Sequence, residues 1–266
     1  LPSSADIPSG SSFPVGLTTV TVSATDAAGN TGSCTFIVTV IDNIAPTAIC
    51  QDVTVQLDAS GVGSIVANDV NNGSTDNCGI ASLVVSPSSV DCTNVGANAV
   101  TLTVTDDSGN TNTCTAIATV EDNVAPIAIC QDVTVQLDAT GNGTIVASDV
   151  DGGSTDACGI ASLSVSQTAF DCSHVGTNPV TLTVTDVNSN TADCTATVTV
   201  EDNIAPVALC QDVTVQLDAT GNGTIVASDV DGGSTDACGI ATLSVSQTAF
   251  DCSHVGTNPV TLTVTD

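Results

Sequence analysis

The sequence has no Lys and no Arg, although 29 Asp and Glu residues give its 266 residues a formal net charge of −29. A chain without side-chain cations must spread its carboxylates apart or take cations from solution, because crowded carboxylates repel one another. The residues that neutralise phosphate groups are also missing, so we predict no nucleic-acid partner. No apolar run approaches membrane-spanning length, so we predict no membrane insertion.

Trp, Tyr and Met are absent, and four Phe residues are the whole aromatic content. Hydrophobic residues nevertheless make up 41% of the chain, which distinguishes it from disordered acidic tails. A core of small aliphatic side chains needs additional stabilisation. Twelve cysteines at regular positions predict a disulfide framework, and with it an extracellular or cell-surface location.

An internal repeat of 80 residues organises the chain. An Ala-Pro pair stands shortly before each of Cys50, Cys130 and Cys210. These cysteines are 80 residues apart, since 130 − 50 and 210 − 130 both equal 80. We predict whole domains at 44–123 and 124–203, the C-terminal part of a domain at 1–43 and the N-terminal part of another at 204–266.

Within each repeat, apolar and polar residues alternate, as at 53–57, 100–105 and 114–120. This period of two is typical of half-buried strands, and Gly, Asn and Asp clusters between the runs indicate turns. No segment shows helical periodicity. About seven short strands per repeat predict an all-β fold of tandem immunoglobulin-like β-sandwich domains.

Three motifs carry a resemblance to a known family. They are Phe-Pro-Val-Gly at 13–16, Ala-Thr-Asp-Ala-Ala-Gly-Asn at 24–30 and Ser-Cys-Thr-Phe at 33–36. Together they resemble the end of a hyalin repeat (HYR domain), and a Val-Gly, Thr-Val-Thr-Asp, Asn and Cys pattern returns in the later repeats. The resemblance implies an immunoglobulin-like fold in extracellular proteins associated with adhesion. Later repeats differ from it by an extra cysteine before Val-Gly.

Strand directions suggest the disulfide pairing. In such a sandwich the first and last strands begin at the same end, which brings Cys50 close to Cys114, and Cys78 and Cys92 flank a hairpin-like segment. The predicted pairs are Cys50–Cys114, Cys130–Cys194, Cys78–Cys92, Cys158–Cys172 and Cys238–Cys252. The alternative scheme joins repeats through Cys34–Cys50, Cys114–Cys130 and Cys194–Cys210. A strand covers about 3.3 Å per residue and carries Cys34 away from Cys50, which favours pairing within a repeat.

Acidic residues collect where the linker, the loop between the second and third strands and the loop before the last strand should meet. Oxygen-rich clusters of this kind suit Ca²⁺, which is the predicted cofactor, although Asp and Asn are also ordinary turn residues. The predicted ligands are Asp42, Asn43, Asp69, Asp76, Asp106, Asn110, Glu121, Asp122, Asp149, Asp151, Asp156, Asp186, Asn190, Glu201, Asp202, Asp229, Asp231, Asp236 and Asp266.

Asn72, Asn142 and Asn222 begin Asn-Gly-Ser or Asn-Gly-Thr triplets, which predict glycosylation in a secreted protein. His174 and His254 share one repeat position and have no accompanying nucleophile, so we predict that the chain is not an enzyme. The first functional hypothesis is an extracellular structural and adhesive array, a self-associating stalk or filament stiffened by disulfides and calcium. The alternatives are a module that binds a glycan or cell-surface receptor, and an accessory segment of a larger secreted enzyme.

Overall fold

The computed structural model of the chain describes residues 3–6 and 10–266, and it divides into the units 1–124 and 125–266. The first unit is built from short strands with one helical turn and one 3₁₀ turn. Its elements are β1 (Ser3–Ala5), β2 (Gly16–Thr25), β3 (Thr31–Val40), β4 (Val53–Gln56), β5 (Val62–Ser64), α1 (Ala67–Val70), β6 (Ile80–Ser86), β7 (Ser89–Asp91), the 3₁₀ turn Cys92–Asn94, β8 (Gly96–Asp106) and β9 (Thr111–Glu121).

Two sheets enclose the core of the repeat at 44–123. The larger has the order β4-β9-β8-β6, with β4 parallel to β9 and the other pairs antiparallel, and the smaller is the antiparallel pair β5-β7. Strand β8 shows why the sequence folds this way: Val100, Leu102 and Val104 are fully buried and alternate with Thr residues. The strands β1, β2 and β3 form a third sheet.

The second unit repeats this topology. Its elements are β10 (Val133–Gln136), β11 (Asn142–Thr144), α2 (Ala147–Val150), β12 (Ile160–Val165), β13 (Ala169–Asp171), the 3₁₀ turn Cys172–His174, β14 (Gly176–Asp186), β15 (Thr191–Glu201), β16 (Asn222–Thr224), α3 (Ala227–Val230), β17 (Thr242–Val245), β18 (Ala249–Asp251), the 3₁₀ turn Cys252–His254 and β19 (Leu262–Thr265). Sheet β10-β15-β14-β12 faces the pair β11-β13, and the pairs β16-β18 and β17-β19 follow.

The all-β sandwich predicted from the alternating pattern is confirmed, with two local differences. Each whole repeat has six strands, and a four-residue helical turn stands between its second and third strands. In the first repeat this turn is α1, which places the fully buried Val70 in the core. Within the turn, the Asp69 amide donates a hydrogen bond to the Val66 carbonyl. A single turn is too short to produce a helical period in the sequence. Among the described residues no helix is long and apolar enough to cross a membrane.

The cysteines pair partly as the strand directions predict. Cys50 bonds Cys114 and Cys130 bonds Cys194, so in both whole repeats the segment before the first strand is tied to the last strand. The third described bond is different, because it joins Cys172 of one repeat to Cys238 of the next.

The predicted pairs Cys158–Cys172 and Cys238–Cys252 are therefore wrong, and so is Cys78–Cys92, because Cys78 is a free thiol while Cys92 is bonded. The error lies in the hairpin assumption. Strand β12 has six residues and separates Cys158 from the segment that leads to Cys172, which places the two cysteines at opposite ends of about 20 Å of strand. The alternative scheme also fails, since Cys50, Cys114, Cys130 and Cys194 are bonded within their repeats.

A glycine in the smaller sheet allows the two sheets to approach closely. A Cβ atom at Gly143 in β11 would lie 2.5 Å from Val135 Cγ1 and 3.3 Å from Leu137 Cδ2. Because the core has no free volume there, we expect Gly143→Ala to lower the free energy of unfolding by about 1–3 kcal/mol. Denaturant unfolding followed by circular dichroism measures it.

Gly32 in β3 supplies the matched control, because an added Cβ there meets nothing within 4 Å. Ala at that position should change the free energy of unfolding by less than about 0.5 kcal/mol. Equal losses from the two substitutions would show that the effect belongs to glycine in a strand in general and not to this close contact.

Candidate functional site

Two carboxylates and a thiol meet after β3. Asp42 lies in the linker that leaves β3, and Asp76 and Cys78 lie in the loop that leads into β6. One ligand atom from each of the three lies within 4.8 Å of the other two, and we call this group the first acidic cluster. Local hydrogen bonds fix its shape: Asp76 Oδ2 accepts from the backbone amides of Cys78 at 2.7 Å and Gly79 at 3.2 Å.

The first acidic cluster holds carboxylate oxygens that the protein does not satisfy. Asp42 is 8% exposed, and its Oδ1 accepts from the Ile44 amide at 3.1 Å. Its other oxygen, Oδ2, is buried without a hydrogen-bond partner, and so is Asp76 Oδ1. Burying a charged oxygen with no donor or cation is costly. A cation placed between these oxygens would remove that cost.

The cluster also alters the thiol. The neighbouring Asp42 carboxylate, burial and the negative charges of Asp76 and Asp106 together raise the pKa of Cys78. The thiol therefore stays protonated over a wider pH range than an isolated cysteine. A bound cation would counteract the carboxylate charges that cause this shift.

The hairpin between β8 and β9 holds the linker in place. Asn110 Nδ2 donates to the Asp42 carbonyl at 3.0 Å and to Asp106 Oδ2 at 2.7 Å. Asp106 Oδ1 also accepts from the amides of Ser108 and Asn110. Burial opposes ionisation of Asp106, but these donors hold its pKa below the ordinary value. Asp106 and Asn110 thus hold the linker, and within the corresponding later hairpin the Asn190 amide and Nδ2 donate to Asp186 in the same way.

Several other predicted ligands already accept hydrogen bonds from residues of their own turns. Asp151 Oδ1 accepts from the Ser154 amide at 2.9 Å and from its hydroxyl at 2.6 Å, which lowers the pKa of Asp151. Asp231 makes the same bonds to Ser234. The first repeat has Asn71 at this position, and its Oδ1 accepts from the Ser74 amide. Because the uncharged side-chain amide of Asn71 accepts the same hydrogen bond, this position requires a hydrogen-bond acceptor but no negative charge.

The acids of the helical turns and strand ends also have local roles. Asp149 and Asp229 accept from the amides of Val146 and Val226, while the Asp69 carbonyl accepts from Gln51. The structure places none of these three in the first acidic cluster. Glu121 and Glu201 accept from Gln56 and Gln136, whose carbonyl oxygens accept from Asn123 and Asn203. Asn43 and Asp266 are exposed.

A second acidic cluster consists of Asp202, Asp236 and Cys238, whose ligand atoms also lie within 4.8 Å of one another. Asp236 Oδ1 accepts from the Cys238 amide at 2.7 Å, and Asp202 Oδ1 accepts from Ile204 at 3.0 Å. The difference from the first acidic cluster is the sulfur, because Cys238 is bonded to Cys172. In the remaining repeat, Asp122 and Asp156 make the same local bonds, to the amides of Val124 and Cys158.

The two histidines belong to turns. His174 Nδ1 lies 2.8 Å from Asp171 Oδ1, and His254 Nδ1 lies 2.9 Å from Asp251 Oδ1. In both turns the same carboxylate also accepts from a Ser hydroxyl, at Ser173 and Ser253. These contacts cap the 3₁₀ turns. Asn72, Asn142 and Asn222 are exposed, and their glycosylation stays a prediction.

Sequence reasoning missed Cys78 as a member of the first acidic cluster, because it assigned the residue to a disulfide. Together with the observed Cys172–Cys238 bond, the repeat indicates that Cys78 lacks a disulfide partner of the same kind. Moving the Cys172–Cys238 pair back by two repeats gives 172 − 160 = 12 and 238 − 160 = 78. Position 12 is Ser12, so the cysteine that would pair with Cys78 by this rule is missing.

One family model and one curated relative match the chain. The HYR domain family model matches residues 3–40. Hyalin from Strongylocentrotus purpuratus is 34% identical over 274 residues, which cover 95% of this chain and 22% of hyalin. The chain thus spans about a fifth of the length of that relative.

Two solved structures are similar at a low level. A structure of protocadherin gammaB7 EC3-6 has 19% identity and a TM-score of 0.31, covering 78% of this chain and 63% of that one. A structure of human mucin-like protocadherin EC1-2 has 11% identity and a TM-score of 0.33, covering 59% of this chain and 98% of that one. These values are too low to support an argument about function. The family match at residues 3–40 and the extended similarity to hyalin confirm that the chain resembles HYR-domain proteins.

Proposed function

We propose that the chain is part of an extracellular adhesive array in which disulfides and calcium fix the geometry of successive repeats. The observation that carries the proposal is the Cys172–Cys238 bond. A bond within a repeat stabilises that repeat, whereas this one adds a second covalent connection between two consecutive repeats. Such a connection limits the movement of one repeat against the next. That restriction suits a structural array and serves no purpose in catalysis.

Calcium is proposed at the acidic clusters. The chain has no Lys or Arg to neutralise Asp42 and Asp76, and buried oxygens of both side chains have no partner. Carboxylate and carbonyl oxygens are the ligands that Ca²⁺ prefers, and its flexible coordination tolerates a site completed by water. At the second acidic cluster, Asp202 and Asp236 offer the same carboxylates while the sulfur is held in a disulfide.

We expect excess chelator to lower the melting temperature of the full chain and to loosen the array, because the carboxylates then repel one another without a counter-charge. Calorimetry and small-angle scattering measure the two effects. Replacing Asp202 and Asp236 by Asn should reduce the response to chelator. Asp58→Asn is the control, because Asp58 lies in a separate turn where its Oδ1 accepts from Ser60 and Val62. An unchanged melt and an unchanged scattering profile in chelator would contradict the calcium proposal.

Adhesion is tested on the same material. Beads coated with the full chain should aggregate in calcium and disperse when chelator is added, because self-association then depends on the ordered array. Beads that stay dispersed at every calcium concentration, while the melting temperature still responds to chelator, would contradict adhesion and leave the structural array standing.

A further inference from the structure

We propose that the first acidic cluster is a mixed carboxylate–thiolate site for a borderline-soft divalent cation, with Zn²⁺ as the natural occupant. The ligands from the protein are Asp42, Asp76 and Cys78. Ca²⁺ and Zn²⁺ compete for the two carboxylates of this cluster, and the thiol gives Zn²⁺ the advantage here, whereas the second acidic cluster stays a calcium site. The proposal does not depend on an adhesive function.

The geometry supports a metal centre of this size. One atom from each side chain lies within 4.8 Å of the other two, so contraction of about 1 Å brings the set to the spacing of ligands around a zinc ion. The backbone amides of Cys78 and Gly79 fix the Asp76 carboxylate from one side. The Ile44 amide fixes Asp42 through Oδ1 and leaves Oδ2 without a partner.

Burial supplies the independent reason for a ligand. Asp42 is 8% exposed, yet its Oδ2 has no donor. Asp76 is half-buried, and its buried Oδ1 also has no donor. Two unpartnered carboxylate oxygens beside a free thiol form an electron-rich group, in a chain that offers no ammonium or guanidinium to complete it. A divalent cation satisfies all three atoms at once.

The sulfur decides which cation is preferred. Thiolates favour Zn²⁺ and other soft or borderline ions over Ca²⁺, which takes oxygen ligands. When the metal binds, the Cys78 S–H bond breaks, its proton passes to solvent and a metal–sulfur bond forms. The second acidic cluster cannot do this, because the Cys238 sulfur is already bonded to Cys172. The two clusters therefore differ in metal preference although their carboxylates correspond.

Co²⁺ binding to the full chain tests the site, because cobalt bound to a thiolate absorbs in the near ultraviolet. The chain has no Trp or Tyr to obscure that region. We expect a charge-transfer band that saturates at one Co²⁺ per chain and is displaced by Zn²⁺ but not by excess Ca²⁺. Cys78→Ser should abolish the band, and Cys34→Ser, which removes another exposed free thiol, should leave it unchanged. Absence of the band, or its persistence in Cys78→Ser, would overturn the proposal.

Alkylation provides a second measurement that needs no variant. Zn²⁺ should slow modification of Cys78 by about tenfold, because the sulfur is then occupied by the metal, while modification of Cys34 in the same sample stays unchanged. Cleavage at Asp separates the two cysteines for mass spectrometry, since the chain has no Lys or Arg for trypsin. Equal alkylation rates with and without Zn²⁺ would overturn the proposal.

The cobalt and chelator experiments together distinguish failure of the thiolate site from failure of the calcium proposal. If Cys78→Ser loses the cobalt band but its melting temperature still falls in a calcium-selective chelator, both proposals stand. If the band forms in the parent chain and calcium-selective chelation changes nothing, the calcium proposal fails alone. If calcium matters and no band forms, the thiolate site fails alone.

Discussion

Replacing Cys130 and Cys194 together by Ser is expected to lower the free energy of unfolding of their repeat by about 4 kcal/mol, because the bond closes a loop of 64 residues in the unfolded chain. The effect should be large for this protein in particular. The core around the bond contains one aromatic side chain, Phe170, and is otherwise aliphatic. Calorimetry on the full chain measures the loss as a lower melting temperature for one transition.

The inter-repeat bond offers the comparison. Replacing Cys172 and Cys238 by Ser also removes one disulfide, but neither cysteine closes a loop within the repeat at 124–203. The double variant should therefore lower the stability of that repeat less than the loss of Cys130–Cys194 does, although both sulfurs pack against its core. It should also make the linker around residues 202–206 more susceptible to proteolysis. If both double variants lower the same transition equally, then the Cys130–Cys194 bond has no special role in the core.

The second large effect is expected at Phe170. Its side chain is 2% exposed and packs edge-on against the His174 ring, with 5.7 Å between centroids. Phe170→Ala should cost about 3–5 kcal/mol, since it leaves a cavity in a small core and removes the ring that His174 contacts. Chemical unfolding followed by circular dichroism gives the value.

The first repeat has a different pair of residues at the positions of Phe170 and His174. In the first repeat the corresponding residues are Val90, which is 4% exposed, and Asn94, whose Oδ1 accepts from the Asp91 amide as His174 Nδ1 accepts from Asp171. Phe170→Val combined with His174→Asn should therefore retain more stability than Phe170→Ala. A double variant as unstable as Phe170→Ala would mean that the surrounding side chains of the two repeats are not interchangeable.

Local sequence predicts the sandwich well because each strand carries its own signal. The alternation at 100–104 places Val and Leu inward, and the structure buries the same residues. Pairing across the molecule carries no such local signal. Residues 133–136 and 213–216 have the same sequence, Val-Thr-Val-Gln, yet only the first segment is a strand. Its parallel partner is β15, and the described part of the chain contains no corresponding partner for 213–216.

The acidic residues show the same limit. Asp42, Asp76 and Asp151 look alike in the sequence, since each stands in a polar turn segment. Whether a carboxylate is free to bind a cation depends on the donors that reach it. Asp151 receives a Ser hydroxyl and amide, whereas Asp42 and Asp76 each retain a buried oxygen without a donor. Composition predicts that cations are needed, and only the folded arrangement shows which oxygens remain available.

The bond between Cys50 and Cys114 has a consequence for a chain under tension. A pulling force that enters at residue 44 and leaves at residue 123 crosses from one cysteine to the other and bypasses the residues between them. Those residues hold about 210 Å of contour length, at roughly 3.3 Å per residue, that no force can extract while the bond is intact. Reduction would release this reserve, so the redox state of the surroundings sets how far a loaded repeat can stretch.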